Sequence, residues 1–131
     1  MRSCTIEIIT ENDGEVSRFF EEATFAQTEE GESVRYAVDG DEGELFFRDD
    51  GCAMRRCGKS GMYAEFRENE ETKFSLESGA FQGRIPVHTT YYRLQRERGA
   101  RRIELFYDLS DGAAIAEYRL HIHIKFVSEE K

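Results

Sequence analysis

The sequence predicts an all-β protein that folds into an antiparallel barrel of about eight to ten strands. Glycine recurs beside turn-forming residues at intervals of roughly 8 to 15 residues, as in Asn12-Asp13-Gly14 and Asp39-Gly40, which is typical of successive hairpins. Between these turns apolar and polar residues tend to alternate, and a period of two places each apolar set on one face of a strand. Antiparallel sheets bury such a face by closing into a barrel or by packing as a sandwich. We prefer the barrel and keep the sandwich as the alternative.

The alternating apolar sets can be followed along the chain, and their members are expected to point into the barrel. The first set is Ile6 and Ile8, and the clearest sets are the last two, in 103–109 and 114–126. The sets between them are Val34, Tyr36 and Val38; Leu45 and Phe47; Met62, Ala64 and Phe66; Phe74 and Leu76; and Ile85, Val87 and Tyr91.

Two segments depart from simple alternation. Apolar residues from Val16 to Ala26 also recur with the spacing of an amphipathic helix, so the residues alone leave 15–30 open between helix and strand. Pro86 lies inside a strand-like run, and because proline has no N–H to donate, it indicates an edge, a bulge or a corner.

Length, charge and cysteine content limit the class of protein. The 131 residues fit a single barrel domain, 1–131, because two smaller cores would each be marginal. A net charge of −9 argues against nucleic-acid binding, which needs a positive face. No apolar run approaches the roughly 20 residues that span a bilayer, and the N-terminus is typical of neither a signal nor a transit peptide. Three cysteines without an export signal predict reduced thiols in the cytoplasm, and no membrane partner is expected.

Several motifs, taken in order, resemble the YwiB-like family of small bacterial proteins, whose function is not established. The residues that carry the resemblance are Met54-Arg55-Arg56-Cys57-Gly58, then 62–66, Ile85-Pro86-Val87-His88-Thr89, Gly99 and Ile103-Glu104-Leu105-Phe106-Tyr107-Asp108-Leu109. The resemblance covers nearly the whole chain and implies a lipocalin-like (calycin) β-barrel in which 15–30 is strand. It implies no catalytic or binding residues.

Six polar residues interrupt the predicted apolar interior and are the candidate ligand-binding residues: Arg56, Tyr36, Thr89, Tyr91, Tyr107 and Tyr118. Arg56 shares a strand face with Met54, and an inward guanidinium needs a carboxylate, carbonyls, waters or a ligand anion because its desolvation is costly. It is either capped by loop carbonyls at a barrel mouth or an anchor for a ligand carboxylate or phosphate. The tyrosines and Thr89 either fill the core or line a pocket whose apolar walls carry polar tips.

Other chemistry is weakly indicated. His121 and His123 lie on the charged face of the last strand without an identifiable third ligand, which favours surface histidines over a metal site. The arginines of 93–102 surround a turn at Gly99 and predict a solvated hairpin tip rather than an anion site. Cys52 and Cys57 lack the spacing of a CxxC motif. There is no nucleophile elbow, phosphate loop, HExxH or Rossmann pattern, so the sequence supports neither an enzyme nor a cofactor.

Two functional hypotheses follow. In the first, the barrel binds a small apolar or amphipathic ligand, with Arg56 and the inward tyrosines at its polar end; a barrel of about eight strands is only just wide enough for side chains to fill, so this hypothesis needs an open lumen. In the second, the protein acts through its outer surface without a ligand, most simply as a homodimer. Its interface would be a contiguous patch of the residues predicted to point outward, which are Phe20, Phe46, Tyr92, Leu94 and Phe106.

Overall fold

A computed structural model describes residues 1–78, 81–111 and 114–127. These residues form ten antiparallel strands that close into a barrel in the order β1-β10-β9-β8-β7-β6-β5-β4-β3-β2. The strands are β1 Arg2–Asn12, β2 Glu15–Thr28, β3 Gly31–Val38, β4 Asp41–Arg48, β5 Gly51–Cys57, β6 Ser60–Arg67, β7 Glu71–Ser78, β8 Phe81–Glu97, β9 Ala100–Asp111 and β10 Ala114–Phe126. The predicted all-β barrel is confirmed, and the sandwich alternative is wrong. The described residues contain no helix long and apolar enough to span a membrane.

The segment that periodicity left open, 15–30, is strand up to Thr28 and then turns into β3, and all of 15–25 pairs with β1. The hairpin before it turns through Asp13 and Gly14, whose φ angles are 51° and 80°. Two consecutive positive φ values define the turn whose twist matches the flanking strands, and Asp and Gly tolerate them best. Asp39 and Gly40, at 48° and 81°, repeat the arrangement between β3 and β4.

Strand length divides the barrel into two halves. Strands β1, β2, β8, β9 and β10 have 11 to 17 residues, whereas β3 to β7 have 7 or 8. The long strands therefore extend past the short ones. β2 pairs with β3 only over 23–28, so within the described part of the chain one edge of 15–22 has no partner strand.

The inward side chains pack differently at the two ends of the barrel. We call the end with the β2–β3, β4–β5, β6–β7 and β8–β9 turns the sealed end, and the opposite end, with the β1–β2, β3–β4 and β5–β6 turns, the mouth. Inward residues near the sealed end, such as Phe25 and Phe47, are buried, whereas Tyr36, Met54 and Tyr118 near the mouth are only half-buried. The alternation predicted from the sequence is confirmed in both regions, except in β8 after Thr89.

One register shift overturns the prediction for Tyr91. The pairing of β8 with β9 slips between Thr89 and Tyr91, and one extra residue in a strand moves every later side chain to the opposite face. Tyr91 therefore lies on the outer face, stacked on Phe106 with ring centroids 4.9 Å apart. Tyr92 is buried instead, and Leu94 packs against the core. The predictions that Tyr91 points inward and that Tyr92 and Leu94 point outward are wrong.

Pro86 lies at a local strand edge, which is one of the three settings predicted for it. It pairs with Lys73 of β7, but the pairing of β8 with β9 begins one residue later, at Val87. The missing N–H of proline therefore removes no bond from the β8–β9 ladder.

Candidate functional site

The structure places the predicted site residues in two clusters on the inner wall and leaves Tyr91 outside. Tyr36 and Arg56 lie on β3 and β5, in one row with Gly43 of β4 between them. Thr89, Tyr107 and Tyr118 form a second row across β8, β9 and β10.

The first cluster is centred on an ion pair within the chain. The Nε of Arg56 donates to Oδ2 of Asp41 at 2.9 Å, and its Nη2 lies 3.9 Å from Asp39. The other oxygen of Asp41 accepts from the Lys59 backbone N–H at 3.1 Å. Of the partners that the sequence allowed for an inward guanidinium, the structure supplies a carboxylate, and the Asp41 side chain is only 5% exposed. Arg56 therefore carries no uncompensated positive charge into the barrel.

Tyr36 completes this cluster by covering a glycine. A Cβ on Gly43 would lie 2.5 Å from Cε2 of Tyr36, so only glycine lets the ring lie flat on β4. The Phe19 ring packs on the other side, with centroids 5.6 Å apart. Burial raises the pKa of Tyr36, and the Arg56 guanidinium offsets part of that rise, so the phenol stays neutral near pH 7.

The second cluster is a stack of rings with the Thr89 hydroxyl next to it in the row. The rings of Tyr107 and Tyr118 are nearly parallel, 5.2 Å apart at 10°, and Phe66 packs 4.7 Å from Tyr107. Burial raises the pKa of Tyr107, which keeps its phenol protonated. Among the described residues, none donates to or accepts from the hydroxyls of Tyr107 and Tyr118.

Thr89 is the exceptional residue of this row. Its side chain is fully buried, and within the described part of the chain its Oγ1 has no hydrogen-bond partner. A buried hydroxyl without a partner costs about 1–3 kcal/mol, and most buried polar atoms in proteins are paired with protein or water. The Thr89 hydroxyl therefore needs a hydrogen-bond partner that the described residues do not supply. The inward face of Thr89 was predictable from alternation, but its missing partner was not.

The arginines around Gly99 do more than form a solvated tip. Arg96 and Arg101 both donate through Nε to Glu32, at 2.7 and 2.8 Å, and Arg96 also pairs with Asp49. The side chain of Glu32 is 4% exposed, so this network closes the sealed end of the barrel. For Arg101, whose side chain is 17% exposed, the predicted solvated tip is wrong; Arg96 is exposed as predicted, but it also binds this carboxylate of the same chain.

Sequence reasoning missed Glu32, although a signal existed. Glu32 shares the inward face of β3 with Val34, and an acidic residue on a buried face requires a cationic partner. Which arginines supply it could not be read from the sequence, since Arg96 is 64 residues away. Arg98 and Arg102 are exposed at the hairpin tip, as predicted.

The histidines and the outward aromatic residues that the sequence singled out do not form a common site. Nδ1 of His121 lies 3.3 Å from Glu104 on the outer face, and no group of three His, Cys, Asp or Glu side chains in the described residues could hold a metal ion. Phe20 and Phe106 point outward as predicted, but β1 and β10 separate their strands, so the contiguous aromatic patch of the second hypothesis does not form.

The described residues thus define a closed antiparallel β-barrel with one sealed end and a mouth lined by tyrosines. The chain belongs to the family described as a domain of unknown function (DUF1934), whose model matches residues 3–122. Its fold is similar to the crystal structure of the ywiB protein from Bacillus subtilis, with a TM-score of 0.79 and 15% sequence identity over 96% of this chain and 91% of that chain. The predicted YwiB-like family is therefore confirmed, and at this identity the structural likeness concerns the fold alone. No curated protein matches the sequence.

Proposed function

We propose that the barrel mouth binds a small neutral ligand with an apolar body and a hydroxyl, carbonyl or amide group at one end. The observation that carries this proposal is the hydroxyl of Thr89, which is fully buried next to Tyr107 in the same row and has no hydrogen-bond partner among the described residues. A ligand group that hydrogen-bonds Thr89 would remove the desolvation penalty of that hydroxyl.

The apolar body is favoured by the lining of the mouth. The half-buried inward side chains at this end would offer rings and aliphatic groups to the apolar part of a ligand; they are Phe19, Tyr36, Met54, Leu109 and Tyr118. Apolar walls with a few polar tips are typical of small-molecule sites.

A neutral ligand is favoured over an anion by the state of Arg56. Asp41 accepts the Nε proton and Asp39 lies beside Nη2, so the two carboxylates compensate the guanidinium. Its remaining N–H groups can still donate to a carbonyl or hydroxyl oxygen, because a guanidinium carries five donors. The net charge of −9 also opposes the approach of an anion.

The polar group of the ligand would contact two neutral hydroxyls, those of Thr89 and Tyr107. The Thr89 hydroxyl can both donate and accept. Tyr107, whose raised pKa keeps it protonated, can donate to the same ligand group. Both residues lie in one row of the wall, so they can bind one small polar group together.

Native mass spectrometry of freshly purified protein tests the proposal first, since a tightly held ligand adds a discrete mass. Titration with the neutral fluorescent probe N-phenyl-1-naphthylamine then measures the site directly. We expect saturable binding that Thr89→Val weakens roughly two- to tenfold, the effect of one lost hydrogen bond. Thr90→Val is the matched control, because that hydroxyl is exposed and donates to the Phe106 carbonyl.

The absence of both an adduct and saturable probe binding would refute the proposal. Equal affinities of wild type and Thr89→Val would refute the role of the buried hydroxyl. Loss of binding in Thr90→Val as well would point to a general disturbance of β8 and would also contradict the assigned site.

A further inference from the structure

The edge of β2 over 15–22 has no β3 partner and is separate from the proposed ligand site. Two-residue turns precede and follow β2, so its end pairs Asn12–Glu15 and Thr28–Gly31 are hydrogen-bonded pairs. Odd-numbered residues of β2 therefore direct their N–H and C=O groups to β1, and even-numbered residues direct theirs to the β3 side.

Beyond the last β3 partner, these even-numbered residues have no strand to pair with among the described residues; they are Val16, Arg18, Phe20 and Glu22. The Glu22 N–H is instead met locally by the side chain of Glu21 at 3.1 Å. The four side chains point outward, and Val16 and Phe20 are 64% and 61% exposed. An unpaired edge with exposed apolar side chains is a template for a further strand.

We propose that this edge pairs with the same edge of a second copy of the chain, giving a two-fold symmetric dimer centred on Phe20. In this register Phe20 faces Phe20 of the second copy, and Arg18 faces its Glu22 on both sides of the axis. Each of the three pairs would exchange two backbone hydrogen bonds. The Glu22 carboxylate has no ion-pair partner in the described residues, and Arg18 has only a 3.7 Å contact with Glu7.

Charge complementarity selects this register over its neighbours. Centring the pair on Arg18 would oppose two guanidinium groups, and centring it on Phe19 would place Glu22 opposite Val16. A shift by a single residue would oppose outward-facing with inward-facing residues and leave the backbone groups unpaired. Opposite charges directly across a strand pair stabilise it, and like charges destabilise it.

The structure leaves room for the second strand. After Tyr36, β3 separates from β2, and a cleft of about 780 Å³ opens beside Glu22, at one end of the free edge. Carboxylates outnumber arginines in its lining, which includes Glu22, Asp41, Glu42 and Arg35. Arg18 of the second copy would enter this acidic cleft.

Sedimentation velocity over a range of protein concentrations tests the dimer with a charge swap. We expect a reversible dimer whose dissociation constant rises roughly 10- to 100-fold in Arg18→Glu and in Glu22→Arg, and returns toward wild type in the double variant. Phe20→Pro should abolish the dimer, because it removes an N–H that points to the second copy and makes no hydrogen bond to β1. Arg98→Glu, at the exposed β8–β9 tip, is the matched control and should leave it unchanged.

A wild-type protein that stays monomeric throughout would overturn the proposal. So would a dimer that tolerates Arg18→Glu, or a double variant that remains as weak as its parents. Hydrogen exchange adds a further criterion: protected amides at Arg18 and Phe20 in a monomer would mean that a different strand covers the edge, which also overturns the dimer.

Discussion

Replacing Glu32 should destabilise the protein by several kcal/mol, because this carboxylate is the buried centre of an ion-pair network. This carboxylate accepts the Nε protons of Arg96 and Arg101 and is almost completely buried. Removing one partner of a buried ion pair costs about 3–5 kcal/mol, because the remaining charges lose their compensation.

The surviving contacts of the two arginines reduce that figure. Arg101 keeps the carbonyls of Glu97 and Ala100 at 3.0 Å, and Arg96 is 43% exposed and keeps Asp49. We therefore expect the free energy of unfolding to fall by about 3 kcal/mol in Glu32→Ala. In Glu32→Gln, whose amide oxygen still accepts a hydrogen bond, it should fall by about 2 kcal/mol.

Urea unfolding followed by circular dichroism measures this loss as a lower midpoint at constant m-value. Glu44→Gln is the matched control, because Glu44 also binds two arginines, Arg35 and Arg55 at 2.9 and 3.0 Å, but on the outer surface where both are about half exposed. Its loss should stay below about 1 kcal/mol. Equal losses in Glu32→Gln and Glu44→Gln would show that burial does not strengthen the Glu32 network.

Three further outcomes are expected. Thr89→Val should raise the free energy of unfolding of ligand-free protein by about 1 kcal/mol in urea titration, since it removes an unpaired buried hydroxyl; no gain would mean that this hydroxyl is satisfied. Gly51→Ala should lower the thermal midpoint, with a loss of about 1–3 kcal/mol, because a Cβ would lie 2.3 Å from the Phe66 carbonyl oxygen, and an unchanged midpoint would contradict that approach. Burial raises the pKa of Tyr92 and Tyr107, so the unfolded chain ionises first above about pH 10; the free energy of unfolding should fall as pH rises past that value, and less steeply in Tyr107→Phe.

Most of the interior wall could be predicted from alternation. Tyr36, Tyr107 and Tyr118 face inward because side-chain direction in a strand follows from sequence parity alone. Tyr91 was misplaced because an extra residue in β8 shifts the parity after Thr89; Pro86, three residues earlier, allowed a bulge in this strand but did not give its position. Parity therefore locates a side chain correctly only as far as the ladder remains regular.

The charged interior residues show a different limit. The sequence indicated that an inward Arg56 must have a partner, and left carboxylate, carbonyl, water and ligand open. The β3–β4 and β5–β6 turns lie at the same end of the barrel, and this brings Arg56 to Asp41, which lies 15 residues away in the chain. The partner of Arg56 is therefore a carboxylate. Because Asp41 compensates the charge of Arg56, we propose a neutral ligand rather than an anion.

By itself, the sequence determined the strands, their turns and most of the buried faces, because hairpin chemistry and a period of two are local properties. Only the tertiary structure decided which charges meet, as with Glu32 and Arg96, since that contact requires strands distant in the chain to close into one barrel. It also decided that, among the described residues, the Thr89 hydroxyl has no hydrogen-bond partner and 15–22 of β2 have no β3 partner. Both depend on where a neighbouring strand begins and ends, which follows from the packing of the whole barrel.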